Sequence, residues 1–125
     1  MVIKNIYMAG TLAVIALATG CSKSPTVSFA NDVMPVLGQH CIECHDAGGA
    51  GTEKSGFKVD SYDSVMAGTT LGPMVVAGEP LSSNLYRMVA REVDKSIRMP
   101  HGRNSLTAEE RALIKTWIAE GALNN

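Results

Sequence analysis

Apolar side chains recur at helical spacing in three stretches of the chain. Phe29, Val33, Val36 and Leu37 fall near one face of a helix that starts after Ser28, whose hydroxyl suits an N-cap. Pro35 lies inside that pattern and, having no N–H to give, breaks the helix or restarts it. Leu81, Leu85, Met88 and Val89 mark a second helix, capped by Ser82 or Ser83 and running to about Ala90. Leu113, Ile114, Trp117 and Ile118 form the stripe of a third. Thr107-Ala108-Glu109-Glu110 opens it as a capping box, and Gly121 ends it. Trp117 reads as core packing. The segment 46–80 is different: it holds glycines 48, 49, 51, 56, 68, 72 and 78, and only a brief helix over Ser61–Ala67. Nothing alternates with the two-residue period of a strand, and there is no repeat or low-complexity tract. The pattern predicts an all-α fold of about four short helices with a long glycine-rich loop.

That loop bears on function. A structureless stretch of this length is unusual in a compact domain, and its few large apolar side chains do little to offset the entropy lost on ordering it. Aromatic residues make up only 5% of the chain. So thin a core calls for a staple or a bound group, and a large flat apolar group would give the loop something to wrap. With 46% hydrophobic and 18% charged residues the chain is no disordered tail. Its formal charge of −1 lacks the cationic footprint of a nucleic-acid binder, so no nucleic acid is expected as partner.

The first twenty residues read as an address. Lys4 precedes an apolar run from Ile6 to Ala18, too short for a comfortable membrane span of about 20 residues. Ala18-Thr19-Gly20-Cys21 follows. A small residue directly before a cysteine resembles the lipobox of bacterial lipoproteins, which implies cleavage after residue 20 and lipid on Cys21. Simple signal cleavage, leaving a free thiol, is the alternative. The expected organisation is a lipoprotein-type signal over 1–20, a lipid-anchored tether over 21–27 and one domain over 28–125. The destination is the periplasmic side of a bacterial membrane.

With Cys21 assigned, Cys41 and Cys44 remain, in Cys41-Ile42-Glu43-Cys44-His45. This is the C-x-x-C-H spacing of covalent haem attachment. On a helical turn positions 41, 44 and 45 share a face, so two thiols can each add to a vinyl group on one edge of the ring while His45 reaches the iron. A redox dithiol is the first rival, but that motif usually opens a helix after a strand. Zinc held by His40, Cys41, Cys44 and His45 is the second, but structural zinc usually draws on two separated knuckles. The reading is one covalent haem c.

A second axial ligand must then come from Met34, Met66, Met74, Met88, Met99, His40 or His101. Methionines mostly fill gaps in cores. Met99 stands apart because Pro100 follows, which pushes it out of helical geometry onto a constrained loop before the last helix. His101 is the alternative. A thioether ligand favours ferrous iron.

The chain at this point resembles the planctomycete-type cytochrome c domain, a branch of the small monohaem class I-like cytochromes. The resemblance rests on Asp32-Val33-Met34-Pro35-Val36-Leu37, on Cys41 to His45, on Gly78-Glu79-Pro80 with Ser83 and Leu85, on Met99-Pro100, and on Leu106-Thr107, Glu110 and Trp117-Ile118-Ala119-Glu120-Gly121-Ala122. It covers roughly 28–123. It implies a helical cytochrome c-like fold around one haem, with His45 and Met99 as axial ligands; His101 departs from the small residue or proline expected there.

Arg87, Arg91, Lys95, Arg98 and Arg103 cluster near the expected haem ligand, against Glu92 and Asp94. They form a solvated face, or else Arg98 or Arg103 pairs with haem propionates and the rest steer an acidic redox partner. No nucleophile–base pair or paired carboxylate suggests an enzyme. The expected function is a carrier of single electrons between membrane or periplasmic redox proteins, as a monomer or a complex subunit. A haem-based gas or redox sensor, or the dedicated electron-accepting subunit of one dehydrogenase, are the alternatives.

Overall fold

The computed structural model describes residues 24–125; the signal segment 1–20 and Cys21 lie outside the described residues. Ser28 opens the fold as a reciprocal cap: its hydroxyl accepts from the Asn31 N–H, while its own N–H donates to Asp32 Oδ2 at 2.7 Å. The first turn, Phe29–Val33, is π-helical, and α1 (Met34–His40) continues from it. Pro35 stands in the first turn of α1, where its missing N–H has no helical partner to lose, so it restarts the helix. Cys41 (φ −122°) then separates α1 from α2 (Ile42–His45).

The chain continues through α3 (Ala50–Ser55), α4 (Tyr62–Ala67), a 3-10 turn at Pro80–Ser82 and α5 (Asn84–Val89). A second 3-10 turn at Lys95–Ile97 leads through a cis Met99–Pro100 peptide to α6 (Ala108–Ala119). The described residues contain no strand, only an isolated bridge between Thr69 and Gly72. The fold is all-α. Among the described residues the α-helices number six, because the haem motif forms a short helix of its own and α3 forms within the glycine-rich segment.

α3 has no apolar stripe and contains Gly51, so its own sequence gives no reason to expect it. Tertiary bonds hold that region: Thr70 N–H donates to the Ser55 carbonyl at 3.0 Å and Val59 N–H to the His45 carbonyl at 2.9 Å. Gly56, left-handed at φ +75°, lets the chain turn out of the helix. α4 does follow its sequence signal, with the Ser61 hydroxyl accepting from Ser64 N–H.

α6 lays Ile114, Trp117 and Ile118 against Phe29, Val33 and Leu37, all at least 96% buried. The Trp117 ring lies 5.2 Å from Phe29, which meets Tyr62 edge-on at the same separation. The polar ends of these rings are satisfied: Trp117 Nε1–H donates to the Leu123 carbonyl and the Tyr62 hydroxyl to the Ala122 carbonyl, each at 2.9 Å. The capping box at Thr107 and Glu110 is formed in full.

Two expectations need correction. Thr26 and Val27, read as part of a tether over 21–27, are held by the domain, because their N–H groups donate to the Glu120 carboxylate at 2.8 and 3.1 Å and Val27 is buried. The folded unit therefore begins at Thr26. Ser83 occupies the N-cap position of α5 but makes no capping bond. Its fully buried hydroxyl accepts from Val76 N–H at 2.8 Å and faces the carbonyls of Glu79 (2.9 Å) and Val76 (3.2 Å). It closes the 76–79 loop onto α5.

Candidate functional site

Cys41 and the short α2 place the two thiols and the His45 imidazole on one wall of a cavity of about 470 Å³. α5 supplies the facing apolar side chains Leu85, Met88 and Val89, while Phe57, Met74 and Pro100 extend the apolar lining. Met99 and His101 border the same space. The size and the apolar walls with a few convergent polar groups suit a bound organic group.

His45 is already oriented. Its Nδ1 lies 3.0 Å from the Phe57 carbonyl oxygen, which can only accept, so Nδ1 carries the proton and Nε2 keeps its lone pair. The imidazole also meets the Phe57 ring near-perpendicularly, at 5.5 Å. A metal-binding histidine commonly carries such a second hydrogen bond, which fixes both ring and tautomer. On the other side of the ring runs Gly51. A Cβ there would sit 2.6 Å from His45 Cε1 and 2.8 Å from the Cys44 carbonyl oxygen, so only glycine fits.

The two thiols are unbridged. Burial, and secondarily the nearby Cys44, pushes the Cys41 thiol up to about 11, so it stays neutral across the physiological range. Among the described residues, no three His, Cys, Asp or Glu side chains converge as a metal site, which leaves the zinc alternative without a ligand set. His40 shows why. Its Nε2 is held 2.9 Å from Glu110 Oε1, tying the end of α1 to the cap of α6. Glu110 is held below the ordinary carboxylate range by the Thr107 N–H first and then by His40. A histidine so engaged is a strut between two helices.

The same geometry sorts the other candidates for iron. Met34 and Met66 pack against the core and do not border the cavity, whereas Met74, Met88, Met99 and His101 do. Met99 N–H donates to the Met88 carbonyl at 3.2 Å, which fixes the loop that carries Met99 beside α5. Of the two arginines considered for an anionic group, Arg103 borders the cavity and pairs with Glu43 at 2.7 Å. Arg98 instead donates from Nε to the Val93 carbonyl and stands outside the cavity. Sequence reasoning missed Gly51, Lys54 and the Phe57 carbonyl. The last is a main-chain group and leaves no side-chain signal; Gly51 is hidden in a run of glycines.

The donor set therefore fits a covalent haem: two thiols beside a histidine whose Nε2 is the acceptor nitrogen, bordering a largely apolar cavity that thioethers also border. No curated protein and no solved structure matches the chain. Residues 41–101, just under half of it, match the family model described as planctomycete cytochrome C. That family implies a covalently bound haem c and a haem-based electron-transfer role. Over residues 41–101 the chain is thus similar to a planctomycete-type cytochrome c domain.

Proposed function

We propose that this protein is an exported, lipid-anchored monohaem cytochrome that carries single electrons between redox proteins, and is not itself an enzyme. The observation that carries the reading is the 3.0 Å contact of His45 Nδ1 with the Phe57 carbonyl, which leaves Nε2 as the acceptor nitrogen in the cavity that Cys41 and Cys44 also border. Cys41 and Cys44 would hold the haem through thioether links, and His45 Nε2 and the Met99 sulfur would bind its iron. When bound, the haem supplies the metal that takes up and releases one electron.

The chain's own residues do the rest. The Phe57 carbonyl raises the basicity of His45 and holds its plane. Leu85, Val89 and Phe57 give the site apolar walls, and the soft Met99 sulfur, as a ligand, would favour the reduced state of the bound group. The Cys21 lipid would keep the domain at a membrane surface, consistent with the absence, among the described residues, of any helix long and apolar enough to cross one.

The test is the intact mass and the pyridine haemochrome spectrum of natively matured protein. One added macrocycle that resists acid-solvent extraction is expected, and its loss on replacing both Cys41 and Cys44 by alanine. Native material without a macrocycle overturns the reading. A diacylglyceryl mass on the Cys21 peptide tests the anchor, and an unmodified Cys21 rejects it.

A further inference from the structure

The Phe57 carbonyl that orients His45 has a second donor. Thr52, in α3, places its hydroxyl 3.0 Å from the same oxygen, the distance at which His45 Nδ1 also lies. A carbonyl oxygen only accepts, so both groups donate and both of its lone pairs are in use. Thr52 does not border the cavity, so its hydroxyl reaches the site through this oxygen. The sequence gives no hint of the arrangement, since the three residues meet only when α3 folds back beside the haem-motif helix.

The oxygen is held where it is from several directions. The Thr52 carbonyl accepts from Gly56 N–H at 2.7 Å. Phe57 N–H donates to the Ser55 hydroxyl at 3.2 Å, which in turn donates to the Gly51 carbonyl at 2.7 Å. Beyond Phe57, Val59 N–H donates to the His45 carbonyl at 2.9 Å, so His45 is tied to this segment by its main chain and by its ring. Phe57 and Val59 are both buried. In so fixed a setting, losing one donor changes the strength of the remaining bond more than the position of the oxygen.

We propose that Thr52 is a positioning residue that sets how strongly the Phe57 carbonyl draws on the Nδ1 proton of His45, and thereby tunes the reduction potential of the group that His45 binds. This rests on the haem-carrier reading and deepens it. The hydroxyl draws electron density on the oxygen toward itself, which leaves a weaker pull on the Nδ1 proton. An imidazole pulled less is less anionic and donates less charge to a metal, and that favours the reduced state. The positive end of the hydroxyl dipole, set against the same oxygen, acts in the same direction. A threonine that only fastened the end of α3 would leave the potential alone.

The test is an equilibrium redox titration of haem-loaded protein, with proton magnetic resonance of its reduced form. Thr52→Val removes the hydroxyl and keeps the shape. It should make reduction about three- to tenfold less favourable, tenfold being a potential about 59 mV lower for one electron. The His45 Nδ1–H resonance should move downfield as its bond to Phe57 strengthens. Thr52→Ser keeps the donor and should restore both values. Thr70→Val is the control: it makes the same change to a hydroxyl that faces the Ser55 carbonyl at 3.4 Å, leaves the Phe57 carbonyl untouched and should match wild type in both readouts. One measurement needs no variant: in the wild type the Thr52 hydroxyl proton and the His45 Nδ1 proton, sharing one oxygen, should show a nuclear Overhauser effect. Failure of the wild type to take up haem removes the carrier reading and this inference with it. In loaded protein, an unchanged or higher potential in Thr52→Val, an equal drop in Thr70→Val, a Thr52→Ser variant that resembles the valine variant, or no Overhauser effect overturns the role of Thr52 alone.

Discussion

Two glycine-to-alanine changes separate helix propensity from the demands of the site. Gly38 lies in α1 with nothing within 4 Å of a Cβ built on it. Gly51 lies in α3, where the added Cβ would come within 2.6 Å of His45 Cε1, 2.8 Å of Nε2 and 2.8 Å of the Cys44 carbonyl oxygen. Both changes gain helix propensity, up to about 1 kcal/mol each. At Gly51 the gain is opposed. Ordinary carbon contacts lie near 3.5–4.0 Å, so about 1 Å must be found. The Cys44 oxygen belongs to the backbone, and the imidazole is held by the Phe57 carbonyl and ring. Overpacking a site that cannot yield costs about 1–3 kcal/mol, which exceeds the propensity gain over most of that range. Gly38→Ala should therefore raise the thermal midpoint by a few degrees, and Gly51→Ala should lower it by a few degrees. Thermal unfolding of the haem-loaded proteins by circular dichroism gives both numbers. The Gly51 variant should also show an altered visible spectrum, because the ring is the part able to move. Equal stabilisation by both changes would refute the claim that Gly51 is packed against the His45 imidazole.

Other expectations are equally direct. Ser83→Ala removes the buried hydroxyl that accepts from Val76 N–H and should cost about 0.5–1.5 kcal/mol in a denaturant titration, with faster amide exchange at Val76; an unchanged midpoint contradicts the clamp. Glu110 titrates below its ordinary value of 4.5 in the folded chain, so its stabilisation is full above that pH and is lost as pH falls through the lower folded value. Glu110→Gln keeps the box and loses only the charge, so it should cost about 0.3–1 kcal/mol near neutrality, with the gap to wild type closing in acid; a gap that stays constant with pH argues against a charged cap. Met99→Ala should abolish the near-infrared sulfur-to-iron band of oxidised protein while His101→Ala preserves it; a band that survives Met99→Ala assigns the iron to another methionine, and a wild type without the band assigns it to a nitrogen ligand such as His101.

Local chemistry announced itself in the chain. The spacing of Cys41, Cys44 and His45 named a cofactor, because attachment to one ring edge requires that spacing. The capping box at Thr107, the cap at Ser61 and the restart at Pro35 were readable for the same reason: each depends on neighbours within a turn. What depended on distant partners was not readable. α3 forms because Ser55 and His45 accept bonds from Thr70 and Val59. Ser83 gives up its expected cap because a loop several residues upstream takes its hydroxyl. Thr26 joins the domain through Glu120 at the other end of the chain. The tautomer of His45 is set by a carbonyl twelve residues away, and every residue has a carbonyl, so no sequence pattern could single out that of Phe57. Tertiary structure alone also decided which methionines border the cavity, since a thioether is equally at home in a core or beside a metal until the fold assigns it a wall.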